Sequence, residues 1–171
     1  MNRKGFTLVE LSMVVLVLGI AAAAVAIRVQ RPLIAANLSD ITGSLVDFDR
    51  TTRAASRAQD RPLRMVMNLS HGTITRADAA GKPIDGSTVS LPQGYRLARL
   101  LVHDRDFRES ETNIACSRAG CSPTYAILLQ TPANTQQWLV FAGLTGQTIQ
   151  AANDDEAKQI LAATLGGHHA H

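Results

Sequence analysis

The sequence predicts an α+β chain. One long amino-terminal helix, transmembrane in its first half, precedes an antiparallel β-rich globular head folded as a two-sheet sandwich. Three observations predict it. Residues 11–27 carry no charge and one polar side chain, Ser12. An apolar stripe at helical spacing then continues to about residue 58. Beyond Arg61-Pro62, short apolar or alternating segments recur between Gly, Pro and Asn turns, the pattern of an antiparallel sheet.

The first element runs from Phe6 to Ile27, 22 residues with one ionisable group, Glu10. At ~1.5 Å per residue it spans roughly 33 Å, enough for a bilayer core of about 30 Å. A charge at the centre of such a helix costs on the order of 2.5–3.5 kcal/mol on insertion scales, and less nearer the end. An unpaired carboxylate at this depth favours a positive partner. An ordinary anchor with an interfacial acid leaves Glu10 unexplained. A removable secretory signal needs a small-x-small site after the apolar run, and this run leads into Arg28 instead. Cleavage at Gly5–Phe6 supplies the partner, because the new Phe6 amine is cationic and Glu10 lies one helical turn away.

Arg3 and Lys4, then GFTLVE, then about 20 apolar residues resemble the class III signal of type IV pilins and type II secretion pseudopilins. The resemblance implies that a prepilin peptidase cuts after Gly5 and N-methylates Phe6. It implies that Glu10 compensates the terminal amine, within a subunit or between neighbours, as subunits pack into a filament. Many members carry a proline at the position of Ile27; here Pro32 lies five residues on, which moves the expected helix bend toward Arg31–Pro32 or removes it.

The helix continues past the membrane. Ile34, Leu38, Ile41, Leu45 and Phe48 are spaced 4, 3, 4 and 3 apart, and Thr52 and Ala55 extend the series. Arg50, Arg53 and Arg57 fall near the opposite face, with Asp47, Asp49 and Asp60 among them. The helix from Phe6 to about Ala58 would be roughly 80 Å long.

The strands expected after it are Leu63–Leu69, Thr73–Arg76, Thr88–Leu91, Tyr95–His103, Tyr125–Gln130, Gln137–Ala142 and Gln147–Ala151. Asn153 with Glu156 reads as a capping box opening a last helix, which Gly166 can stop. The organisation is therefore a leader at 1–5, a transmembrane and filament-core half-helix at 6–31, and an amphipathic half at 32–60. A head at 61–152 and a terminal helix and tail at 153–171 complete it.

The segment RAASRAQDRPLRMVMN, from helix into first strand, resembles the H-type minor pseudopilins and related minor pilins. GLTGQT resembles a short motif near the end of their heads. The terminal helix is not something that resemblance implies.

The net charge is +3, and +1 without Arg3 and Lys4; residues 32–171 balance 13 basic against 13 acidic side chains. A neutral head argues against a whole-domain nucleic-acid footprint. Arg50, Arg53 and Arg57, continued by Arg61 and Arg64, form either a solvated helix face or a patch for an anionic partner such as DNA. Cys116 and Cys121 enclose SRAG. In a periplasmic head they are candidates for a disulfide, the alternative being a reduced pair. Two cysteines do not suffice for a metal. His103, Asp104, Asp106, Glu109 and Glu111 do not have EF-hand spacing and read as a polar loop. His168, His169 and His171 read as a tail rather than a metal site. No catalytic motif and no cofactor motif occurs, so the expectation is a non-enzyme without cofactor or metal.

These readings converge on a minor pseudopilin-like subunit of a type II secretion system, made as an inner-membrane precursor and built into a periplasmic filament. Its partners would be the prepilin peptidase, other pseudopilins or pilins through the amino-terminal helix, and the inner membrane. The alternatives are a minor type IV pilin, serving pilus assembly or DNA uptake, and a free-standing membrane-anchored binding domain.

Overall fold

The computed structural model describes residues 8–103, 105–108 and 111–166, with side chains at residues 8, 11–20, 38–103, 105–108 and 111–164. The chain divides into two units, Met1–Ser39 and Asp40–His171. Helix α1 covers Leu8–Ala58. In the first unit its apolar side chains at residues 8 and 11–20, among them Leu11, Met13, Leu16 and Ile20, are exposed. Among the described residues no helix is long and apolar enough to cross a membrane. The expected span of Phe6–Ile27 lies partly outside them.

In the second unit the stripe on α1 behaves as its periodicity requires. Ile41, Leu45, Phe48 and Thr52 are buried. The buried face is wider than the apolar stripe, however, and also takes in Thr42, Asp49, Arg53 and Ser56.

Nine strands follow among the described residues. β1 (Leu63–Asn68), β2 (Thr73–Ala77), β3 (Pro83–Ser90) and β6 (Glu111–Cys116) form a sheet in the order β3-β2-β1-β6. β4 (Arg96–Val102), β5 (Arg105–Phe107), β7 (Tyr125–Gln130), β8 (Gln136–Phe141) and β9 (Thr148–Ala151) form the other, in the order β5-β4-β7-β8-β9. Every pairing is antiparallel. The expected two-sheet antiparallel head is therefore present.

Differences lie in the strands of weakest apolar pattern. β3 begins at Pro83 rather than Thr88, β5 lies within the region expected to be a polar loop, and β6 starts at its end, where no strand was expected. β6 alternates exposed and buried toward its end, where Ile114 and Cys116 face inward and pair with Met65 and Leu63 of β1. Its first half is polar, so cross-strand pairing with β1 holds it rather than its own sequence.

β1 alternates strictly, sending Leu63, Met65 and Met67 into the core. β7 is buried at five of six positions, which requires cover on both faces of its sheet. On one face Tyr125, Ile127 and Leu129 join the main core. On the other, Ala126 and Leu128 of β7 with Trp138, Val140, Leu101 and Ala151 pack on Ala157 and Leu161 of α2 (Asp154–Gly166). The terminal helix is thus the cover of an otherwise exposed apolar sheet face. The expected N-cap is formed, Glu156 N donating to Asn153 Oδ1 at 2.9 Å, while the Glu156 carboxylate reaches one residue past the cap and accepts from Ala152 N at 2.7 Å.

Candidate functional site

The amino-terminal elements come first in the chain. Gly5 and Phe6 lie outside the described residues. Glu10 belongs to α1, and its side chain lies outside them. Asp104, Glu109 and the histidines of the tail also lie outside.

In the head, the largest concentration of buried polar chemistry is on α1 itself. Arg53 Nε donates to Asp49 Oδ2 at 2.6 Å, one turn back, and Tyr125 Oη donates to Asp49 Oδ1 at 2.8 Å. Arg53 Nη1 donates to Gly143 O at 2.6 Å and Gly120 O at 3.3 Å, and Nη2 to Ser122 Oγ at 2.8 Å. One turn on, Ser56 Oγ lies 2.7 Å from both Arg61 O and Ser117 O. Arg53 is 3% exposed and Asp49 2%.

This corrects the expectation that Arg50, Arg53 and Arg57 share a solvated face or an anionic-partner patch. Arg50 and Arg57 are exposed; Arg53 is turned into the head. The physical reason is position and partners together. Arg53 stands at the flank of the stripe, one turn from Asp49, and four acceptors from two loops and its own helix await its guanidinium.

The electrostatics follow. Burial opposes the Arg53 charge, but the Asp49 hydrogen bond and charge outweigh it and hold the pKa above its ordinary value. Burial pushes the Tyr125 hydroxyl well up, and the adjacent Asp49 charge pushes it further. The phenol stays neutral and donates.

The loops that receive Arg53 fit it closely. Gly143 and Gly146 belong to GLTGQT. A Cβ on Gly143 would stand 2.1 Å from Ser122 O, so only glycine admits this approach. The motif is therefore the turn after β8 that presents a carbonyl to α1.

Cys116, at the end of β6, is buried and Cys121 half-buried; both are free thiols in this structure. Burial raises the Cys116 thiol, with the Arg53 charge acting against it. The polar cluster around residue 103 resolves into ion pairs. Asp106 accepts from Arg99 and Arg108, while His103 is exposed. Among the described residues no group of three or more His, Cys, Asp or Glu is placed to hold a metal.

Sequence reasoning missed Asp49, Arg53 and Ser56 as buried groups. The available signal was their spacing of four and three, which continues the inward face of the helix.

The description of the family model that matches, over residues 1–26, is the prokaryotic N-terminal methylation motif. The structure is similar to the minor pseudopilin EpsH from the type 2 secretion system of Vibrio cholerae. One solved structure of it matches with a TM-score of 0.54 and 9% identity, over 69% of this chain and 98% of that one. A second matches with a TM-score of 0.51 and 10% identity, over 66% and 93%. At these identities the likeness is one of fold. No curated protein matches the chain in sequence.

Proposed function

We propose that this type IV pilin-like chain, with the methylation motif at its start and the fold of a minor pseudopilin, is a minor structural subunit of a type II secretion pseudopilus. On this reading it is made as a single-pass inner-membrane precursor with its head in the periplasm. A prepilin peptidase cuts it after Gly5 and methylates Phe6. The helix then joins those of other pseudopilins, Glu10 meeting a terminal amine. The role is structural rather than enzymatic.

The observation that carries the reading is the occurrence in one chain of the methylation motif over residues 1–26 and a head similar in fold to EpsH. The exposed apolar side chains of residues 11–20 support it, since a helix apolar on all sides needs lipid or other helices around it. The minor type IV pilin shares the motif. Its DNA-contacting form is disfavoured by the burial of Arg53, which breaks the arginine series into separated surface charges.

Intact-mass measurement of the chain produced with its prepilin peptidase tests the processing. The expected species begins at methylated Phe6, and a mature terminus elsewhere overturns the assignment. Crosslinking to type II pseudopilins, against crosslinking to pilins or salt-sensitive DNA binding, separates the system from its alternative.

A further inference from the structure

The two cysteines flank a turn that is closed on itself. Ser117 N donates to Cys121 O at 2.7 Å, Gly120 N to Ser117 O at 2.8 Å, and Cys121 N to Ser117 Oγ at 3.2 Å. The same turn holds the end of α1. Ser117 O accepts from Ser56, Gly120 O accepts from Arg53, and Ser122, the next residue after the pair, accepts from Arg53 as well. The contact has no slack: a Cβ on Gly120 would stand 2.5 Å from Arg57 Nη1 and 3.0 Å from Arg53 O. Cys116 is buried at the end of β6, and burial holds its thiol above its ordinary pKa while the nearby Arg53 charge and Ser56 act against that.

We propose that Cys116 and Cys121 form a redox-controlled clasp that sets how firmly the head holds the last turns of α1. A bridge would close the Ser117–Gly120 turn covalently and remove its open states. The Ser117 and Gly120 carbonyls then stay where Ser56 and Arg53 need them, which is preorganisation of an existing contact. With the thiols reduced, those carbonyls are held by hydrogen bonds alone, the turn's own and those from Ser56 and Arg53. This inference does not depend on which filament the chain joins.

The chemistry is thiol–disulfide exchange. Cys121 is the reachable thiol, and Cys116 lies buried behind α1, so exchange starts at Cys121. Its thiolate attacks one sulfur of a disulfide oxidant such as oxidised glutathione, forming a mixed disulfide and releasing one glutathione thiolate. The Cys116 thiolate then attacks the Cys121 sulfur, forming the bridge and releasing the second. The two cysteines lose two electrons and two protons, and one oxidised glutathione becomes two reduced ones. By linkage, whatever factor the bridge adds to docking, docking adds to the bridge; a tenfold coupling corresponds to about 30 mV in the midpoint potential.

The test is amide hydrogen exchange on the full chain in detergent micelles, after oxidised and after reduced glutathione. Wild type is compared with Cys121→Ser and Ser56→Ala. In wild type, oxidation should yield the bridge by mass and slow exchange of residues 53–58 at least fivefold, while residues 125–130 stay unchanged. Cys121→Ser should show no redox effect at 53–58. Bridged Ser56→Ala should keep less than half of the slowing, because the Ser117 link is gone. The clasp is overturned if no bridge forms, if it forms without slowing 53–58, or if Cys121→Ser responds as wild type does. Full slowing in Ser56→Ala overturns the route through Ser117.

Discussion

Arg53 Nε stands 2.6 Å from Asp49 Oδ2, one helical turn away, and the two side chains are 4% and 3% exposed. Tyr125 occupies the second carboxylate oxygen, and loop carbonyls and Ser122 take three of the four remaining guanidinium N–H groups. A buried pair of this kind is weak evidence for net stability, but removing one partner strands the other charge in low dielectric. The pair also joins α1 to residues 67 and 90 positions away in sequence.

Arg53→Gln should therefore cost about 3–5 kcal/mol, the range for breaking a buried pair. Arg50→Gln with Arg57→Gln should change stability by no more than about 0.5 kcal/mol, as for ordinary surface sites. Asp49→Leu combined with Arg53→Met should be less harmful than Arg53→Gln, since no charge is left unpaired. Urea unfolding followed by the fluorescence of buried Trp138 measures all three. Equal effects of Arg53→Gln and the Arg50/Arg57 double variant would refute the buried-pair account.

A second prediction concerns acid. Arg99 Nη2 is 2.9 Å from Asp106 and Nη1 is 2.7 Å from Asp154. The Arg99 hydrogen bond holds the Asp106 carboxyl below the usual aspartate range. Asp154 is also lowered: burial works the other way, and bonds from Lys158 and Arg99 outweigh it. With folded pKa values depressed, the unfolded chain binds more protons as pH falls. The stability these groups contribute is full above the usual aspartate range and lost as pH drops through the folded values. Each pair is partly solvated, which limits it to on the order of 0–1 kcal/mol. Arg99→Gln should lower the urea midpoint at pH 6, and the gap to wild type should narrow toward pH 3. A gap that does not narrow would trace the loss to packing instead, for Arg99 also lies over the Trp138 ring at 5.3 Å.

The third prediction returns to the acid in GFTLVE. In an apolar bundle a carboxylate and an ammonium are each costly alone and less costly paired. Glu10→Leu should insert and be cleaved after Gly5 as wild type is, then fail to crosslink to partner subunits. Glu10→Asp should fall between, its side chain being shorter. Processing and crosslinking are scored together in the three forms. Wild-type crosslinking by Glu10→Leu would sink the pairing explanation.

Much of this protein was legible in its sequence because the signals are local. The basic residues, Gly5, Phe6 and Glu10 stand in a contiguous motif, and residues 1–26 match the methylation family on that basis. The stripe through Ile41, Leu45 and Phe48 reports a helix because 3.6-residue periodicity is a property of the helix alone. The N-cap of Asn153 on Glu156 N lies within four residues, and it formed, with the Glu156 carboxylate on Ala152 N. Tertiary structure decided the rest. β5 and the polar half of β6 are strands because β4 and β1 offer edges to pair with. Charge and spacing put Arg53 with its exposed neighbours. Its burial depended on Tyr125 and on Gly120, Ser122 and Gly143, whose acceptors come together only when the loops fold over α1. A charged side chain goes inside when its hydrogen-bond partners are supplied from far along the chain, and no local pattern records where those partners will be.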